Sequence, residues 1–166
     1  MTRGPAVSGQ PPNLFAAAFV RNGDRWTGAE VDLSAAEYPD DVTDLVQEAL
    51  GLAGDELALL CVEVEDEWFA LVRFEGDREP RAFISDAQPS GDRYAELFSE
   101  LAGAAPDAEA NGLGVRPAGD FELLSDLGVS ADELLELSME EGALPGDILG
   151  VIAERLAFGD ELDRLR

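Results

Sequence analysis

The sequence predicts an α+β fold: an antiparallel or mixed sheet of about five strands with two helices, followed by a small C-terminal helical part. Three observations predict it. Short apolar runs separated by turn residues fill the first two thirds of the chain. An Asn-Gly pair joins the first two runs, and beyond Asp120 every apolar pattern has helical spacing. Runs of strands followed by runs of helices favour this class over a doubly wound sheet. With 46% hydrophobic residues, the chain can build a substantial core despite a formal net charge of −25.

The elements follow in order. Residues 1–12 carry Pro5, Pro11 and Pro12 among Gly and Ser and read as a flexible leader. They contain Arg3 but no apolar stretch before a cleavage site, so no signal peptide is expected. Residues 14–20 and 26–33 read as strands, with Asn22-Gly23 as the turn of a hairpin. In the second strand Thr27, Ala29, Val31 and Leu33 alternate with a mostly polar face of Trp26, Gly28, Glu30 and Asp32. A helix over 40–50 has Val42, Leu45, Val46, Ala49 and Leu50 at helical spacing, with Asp40, Asp41 and Asp44 towards the positive end of its dipole. Gly51 and Gly54 break it. Strands then cover 57–64, 68–74 and 81–85, and a helix covers 92–101 with Tyr94, Leu97, Phe98 and Leu101 on one face.

Residues 13–103 form the predicted α+β domain, 104–119 a linker rich in Ala, Gly, Pro and Asp, and 120–166 a helical subdomain. In that last part 121–127 ends at Gly128, a C′ glycine. Ser130 and Glu133 have capping-box spacing and open a helix that stops by Gly142. Pro145 starts the next helix, whose buried stripe is Ile148, Leu149, Ile152 and Leu156.

Composition excludes more chemistry than it suggests. The chain has no histidine, and all 11 of its basic residues are arginines. There is no imidazole for acid–base work near neutral pH, no histidine metal ligand, no lysine for a Schiff base and no P-loop. The single Cys61 lies in an apolar run and reads as a buried core thiol, and one cysteine fits a reducing cytoplasm. No catalytic residue, cofactor site or metal site is predicted. The acidic clusters Glu37/Asp40/Asp41, Glu63/Glu65/Asp66/Glu67 and Glu140/Glu141 match no Ca²⁺-loop pattern and read as solvated faces. The chain's acidity itself fits a GC-rich genome or salt adaptation. Arg73, Arg78 and Arg81 are interleaved with Glu75, Asp77 and Glu79, which predicts pairing on a hairpin surface; direct nucleic-acid binding is not expected. No run is long enough to span a bilayer.

A candidate partner-binding surface comprises Glu65, Asp66, Glu67, Trp68 and Asp86. In it Trp68 is either a core residue, alternating with Ala70, Val72 and Phe74, or an exposed aromatic anchor.

Several strings carry a resemblance. They are Asp66-Glu67-Trp68-Phe69-Ala70-Leu71-Val72-Arg73 with Pro80-Arg81-Ala82-Phe83-Ile84-Ser85-Asp86-Ala87, the opening Phe15-Ala16-Ala17-Ala18-Phe19 and Trp26-Thr27-Gly28, and the later Pro117-Ala118-Gly119-Asp120, Leu123-Leu124 and Asp126-Leu127-Gly128. From about residue 13 to the C-terminus, the chain resembles the actinobacterial tRNA adenosine deaminase-associated proteins. The resemblance implies a neighbour of the enzyme that converts adenosine to inosine in tRNA anticodons, and carries over no functional residues. The chain is not that enzyme, because it has neither the H-x-E nor the P-C-x-x-C of a zinc deaminase. The expectation is a non-catalytic, cytoplasmic accessory protein that binds another protein, with the deaminase as the partner the resemblance points to. Charge complementarity with a basic tRNA-handling surface would act on encounter rate and specificity. Two alternatives stand beside it: an acidic mimic of nucleic acid that regulates a basic RNA-binding protein, and a carboxylate-based cation-binding protein.

Overall fold

Both faces of one sheet are buried, and that arrangement organises the molecule. The computed structural model describes residues 14–52, 56–64, 67–76, 78–87, 93–103, 117–140 and 142–165. In chain order the elements are β1 (Leu14–Asn22), β2 (Arg25–Glu30), α1 (Pro39–Leu50), β3 (Leu57–Val64), β4 (Trp68–Glu75), β5 (Arg81–Ile84), α2 (Arg93–Leu101), β6 (Ala118–Gly119), α3 (Ala131–Ser138), α4 (Pro145–Leu156) and α5 (Gly159–Leu165). The strands form one antiparallel sheet in the order β2-β1-β3-β4-β5-β6. The α+β class holds, with six strands where about five are predicted.

Central strands read as unbroken apolar runs because each has a core on either side. On one face Ala58, Leu60, Val62 and Val64 of β3 and Trp68, Ala70, Val72 and Phe74 of β4 pack against Val42 and Val46 of α1 and Leu97 and Phe98 of α2. On the other, Leu59, Cys61, Phe69 and Leu71 pack against Leu134 of α3, Ile148, Leu149 and Ile152 of α4 and Leu162 of α5. The C-terminal helices are thus the second layer over the sheet. Cys61 is 1% exposed, a core thiol as its apolar run predicts.

The stretch predicted as a linker over 104–119 ends in sheet. Ala118 and Gly119 pair with Ile84 and Phe83; residues 104–116 lie outside the described residues, as does the predicted leader at 1–12. Gly119 has φ +112, and a Cβ there would strike the Ala82 carbonyl oxygen and come within 2.9 Å of the Phe83 Cα. Gly119→Ala is therefore expected to cost about 2 kcal/mol, read as a lower urea midpoint at unchanged m.

Other boundaries shift for local reasons. Pairing of Asn22 with Arg25 makes Gly23-Asp24, not Asn22-Gly23, the central pair of the hairpin, with Gly23 at φ +68. The second strand stops at Glu30, and its side predicted to be polar is covered at Trp26 by the C-terminal layer. Residues 121–127 do not form a helix; they turn, with a single 3₁₀ turn over Ser125–Leu127 ending at Gly128, φ +119. Ser130 caps α3 as its spacing predicts: its Oγ accepts from the Glu133 N–H at 3.2 Å. At the start of α1, Asp41 accepts from the Glu37 and Tyr38 N–H groups at 2.9 and 3.0 Å, and these bonds hold its carboxyl below its ordinary range.

Candidate functional site

Proline, glycine and aliphatic residues shape the outer surface of α4. Pro145 sits in the first turn, where its missing N–H costs nothing. Ile148, Leu149, Ile152, Ala153 and Leu156 face the sheet and hold the helix down. The remaining positions face outward. Between α4, α5 and the C-terminal end of β3 they line a groove of about 800 Å³, where the described carboxylates are Glu63, Asp147, Glu154 and Asp163 and the described guanidinium is Arg155. Arg155 is itself paired with Glu133 of α3, so the lining is strongly acidic. Leu144 and Val151 lie at its margin, 48% and 43% exposed. A smaller depression of about 280 Å³ adjoins it, sharing Asp147 and Val151 and reaching Leu137 and Glu140 of the α3 end. Met139 and Leu135 add further exposed apolar surface on this side of the molecule. The arrangement combines exposed apolar groups with a surplus of negative charge. It has the chemistry of a contact surface.

Polar contacts among the described residues also fix the layer that carries this groove to the sheet. Trp26 of β2 donates its Nε1–H to the Leu156 carbonyl at the end of α4, at 3.0 Å. Arg73 of β4, with its side chain 3% exposed, donates to the Leu123 carbonyl at 2.6 Å and grips Asp126 with both terminal nitrogens, at 2.7 and 2.9 Å. Glu75 accepts a further bond at 3.1 Å, and Arg81 links Glu75 to Asp120. The fork-to-carboxylate bonds keep Arg73 firmly charged and hold the Asp126 carboxyl below its usual value. Pairing of Arg73 and Arg81 with Glu75 was expected, but Arg73 is not a surface residue. Its main partner comes from the C-terminal layer.

The predicted partner-binding residues are dispersed. Glu67 is exposed in the turn before β4 and Asp86 is half-buried just after β5, while Glu65 and Asp66 lie outside the described residues. Trp68 is 4% exposed and tilted against Phe98 at 6.0 Å, so it is a core residue and not an exposed anchor. The strand's alternation with Ala70, Val72 and Phe74 carried that outcome. Of the acids singled out in the sequence, Glu63 and Glu140 line the groove and its neighbouring depression. The sequence reading missed Leu144 and Val151. Their signal was available: both fall off the buried stripe of α4, seven positions apart, and so share one outward face.

Among the described residues no group of three or more Cys, Asp or Glu is placed to hold a metal ion, and no helix is long and apolar enough to cross a membrane. No curated protein and no solved structure matches the chain. A family model does match, over residues 14–159, a span that takes in the whole sheet and the helices from α1 to α4. The chain belongs to the Rv3753c-like tRNA adenosine deaminase-associated protein family.

Proposed function

We propose that the chain is a non-catalytic accessory protein that binds the tRNA adenosine deaminase. Its membership of a family described as associated with that enzyme, over nearly the whole chain, carries this reading. Composition supports it: the chain has no imidazole for acid–base work near neutral pH and no lysine for a Schiff base, and its single cysteine is buried. Charge supports it as well. A protein of net charge −25 is attracted to a basic, tRNA-handling surface and repelled by the tRNA itself.

Titration calorimetry of the full chain against the deaminase tests the proposal. Binding is expected at about 0.05 M salt, weakening by about 0.3 M as screening shortens the reach of the charges. The chain alone is expected to leave adenosine in tRNA unchanged. Absence of heat at both salt concentrations would overturn the deaminase as partner.

A further inference from the structure

The geometry points to the groove along α4 as a docking site for a basic amphipathic helix of a partner protein. Who that partner is rests on the accessory reading above; where it docks and what chemistry it presents rest on the groove itself.

Charge selects the occupant. Asp147, Glu154 and Asp163 line an open groove, and Arg155, the guanidinium among its described residues, is already held by Glu133. In a chain of net charge −25, a second copy, a nucleic acid or an anionic membrane would meet this rim with like charge. A cationic partner meets the opposite sign, and the exposed Leu144 and Val151 require that it also bring apolar side chains. An amphipathic helix with Lys or Arg beside Leu, Met or Phe supplies both at helical spacing. The dimensions agree. The 12 residues of α4 extend about 18 Å, enough to lie along three turns of a partner helix. In the middle of α4, Gly150 has nothing within 4 Å of where a Cβ would stand, so the groove floor is open at that point and a partner side chain can settle there.

The full-length chain is titrated with a Leu/Lys amphipathic helical peptide of about 18 residues, roughly 27 Å when helical, and separately with the deaminase. Val151→Asn, which removes the apolar contact without changing the charge, and Gly150→Leu are each expected to weaken peptide binding about tenfold or more. Gly150→Leu replaces a poor helix former at an open position, so its unfolding midpoint should not fall, and lost binding cannot be ascribed to lost fold. Glu154→Arg should weaken binding in a salt-dependent way. Glu48→Arg, which makes the same charge change on the exposed side of α1 across the sheet, should stay within about twofold. Equal losses for Glu154→Arg and Glu48→Arg would mean diffuse attraction and overturn the docking site. So would wild-type peptide binding by both Val151→Asn and Gly150→Leu, or a dimer of the free chain that Val151→Asn dissolves. If the deaminase binds every variant alike, the groove fails and the accessory reading survives. If the deaminase does not bind while the peptide ranking holds, the groove stands and the named partner falls.

Discussion

Phe158→Ala is expected to lower the unfolding free energy by about 4 kcal/mol. The ring is 1% exposed and sits where the C-terminal layer meets the sheet. It stacks on Phe19 of β1 with centroids 4.5 Å apart and lies 5.0 Å from the Trp26 ring. Its position follows from backbone conformation: Ala157 adopts φ +76 and ends α4, and the Phe158 N–H returns to the Ala153 carbonyl at 2.8 Å. Truncation would leave a cavity beside the Phe19 and Trp26 rings. The two tryptophans give a layer-specific readout, because Trp26 belongs to the C-terminal core and Trp68 to the core under α1 and α2. In a Trp68→Phe background, Phe158→Ala should shift Trp26 emission to the red in the native state. In a Trp26→Phe background, the Trp68 emission should be unchanged. Equal shifts would mean that the two cores are not separated by the sheet.

Asp126→Ala should cost about 3 kcal/mol, and Arg73→Met clearly less, about 1–2 kcal/mol. The asymmetry comes from where each charge resides. Arg73 has 3% of its side chain exposed, whereas Asp126 has 62%. Removing the carboxylate leaves a guanidinium in the core with Glu75 as its remaining acid partner. Removing the guanidinium lets the carboxylate return to water and substitutes an apolar side chain of similar length. The pH dependence has a defined sign. Asp126 titrates below its ordinary 3.8 in the folded state, so its stabilisation is complete above that value. It is lost as pH falls through the folded pKa. Acid unfolding of Asp126→Ala should therefore show a shallower loss of stability below pH 4 than the parent. Denaturant titrations across that range would measure it.

Much of the fold was legible because its signals are local. The near-continuous apolar residues of β3 and β4, the Ser130 cap and the Pro145 start all act within a few residues of where they are read. What escaped has no local signature. β6 is two residues with no side-chain pattern, and only its pairing with β5 makes it a strand. Arg73 looked like a hairpin-surface charge because its sequence neighbours are acids, while Asp126 lies 53 positions away. Trp26 looked like part of a polar face because its cover, including the Leu156 carbonyl, lies 130 positions on. Site residues were legible only in part. Acidity alone singles out the turn before β4, but contact surfaces also require exposed apolar groups. Which apolar groups stay exposed depends on how α4 rotates its Ile148–Ile152 stripe onto the sheet.

The groove along α4 requires that the partner dock on the C-terminal helical layer. Amide hydrogen exchange of the full chain, alone and with saturating tRNA adenosine deaminase, tests it most directly. Slowed exchange is expected on binding along α4 and the start of α5, with α1 and α2 on the far side of the sheet unchanged. Protection confined to α1 and α2, or none anywhere in the chain at a concentration where the deaminase is fully engaged, would contradict it.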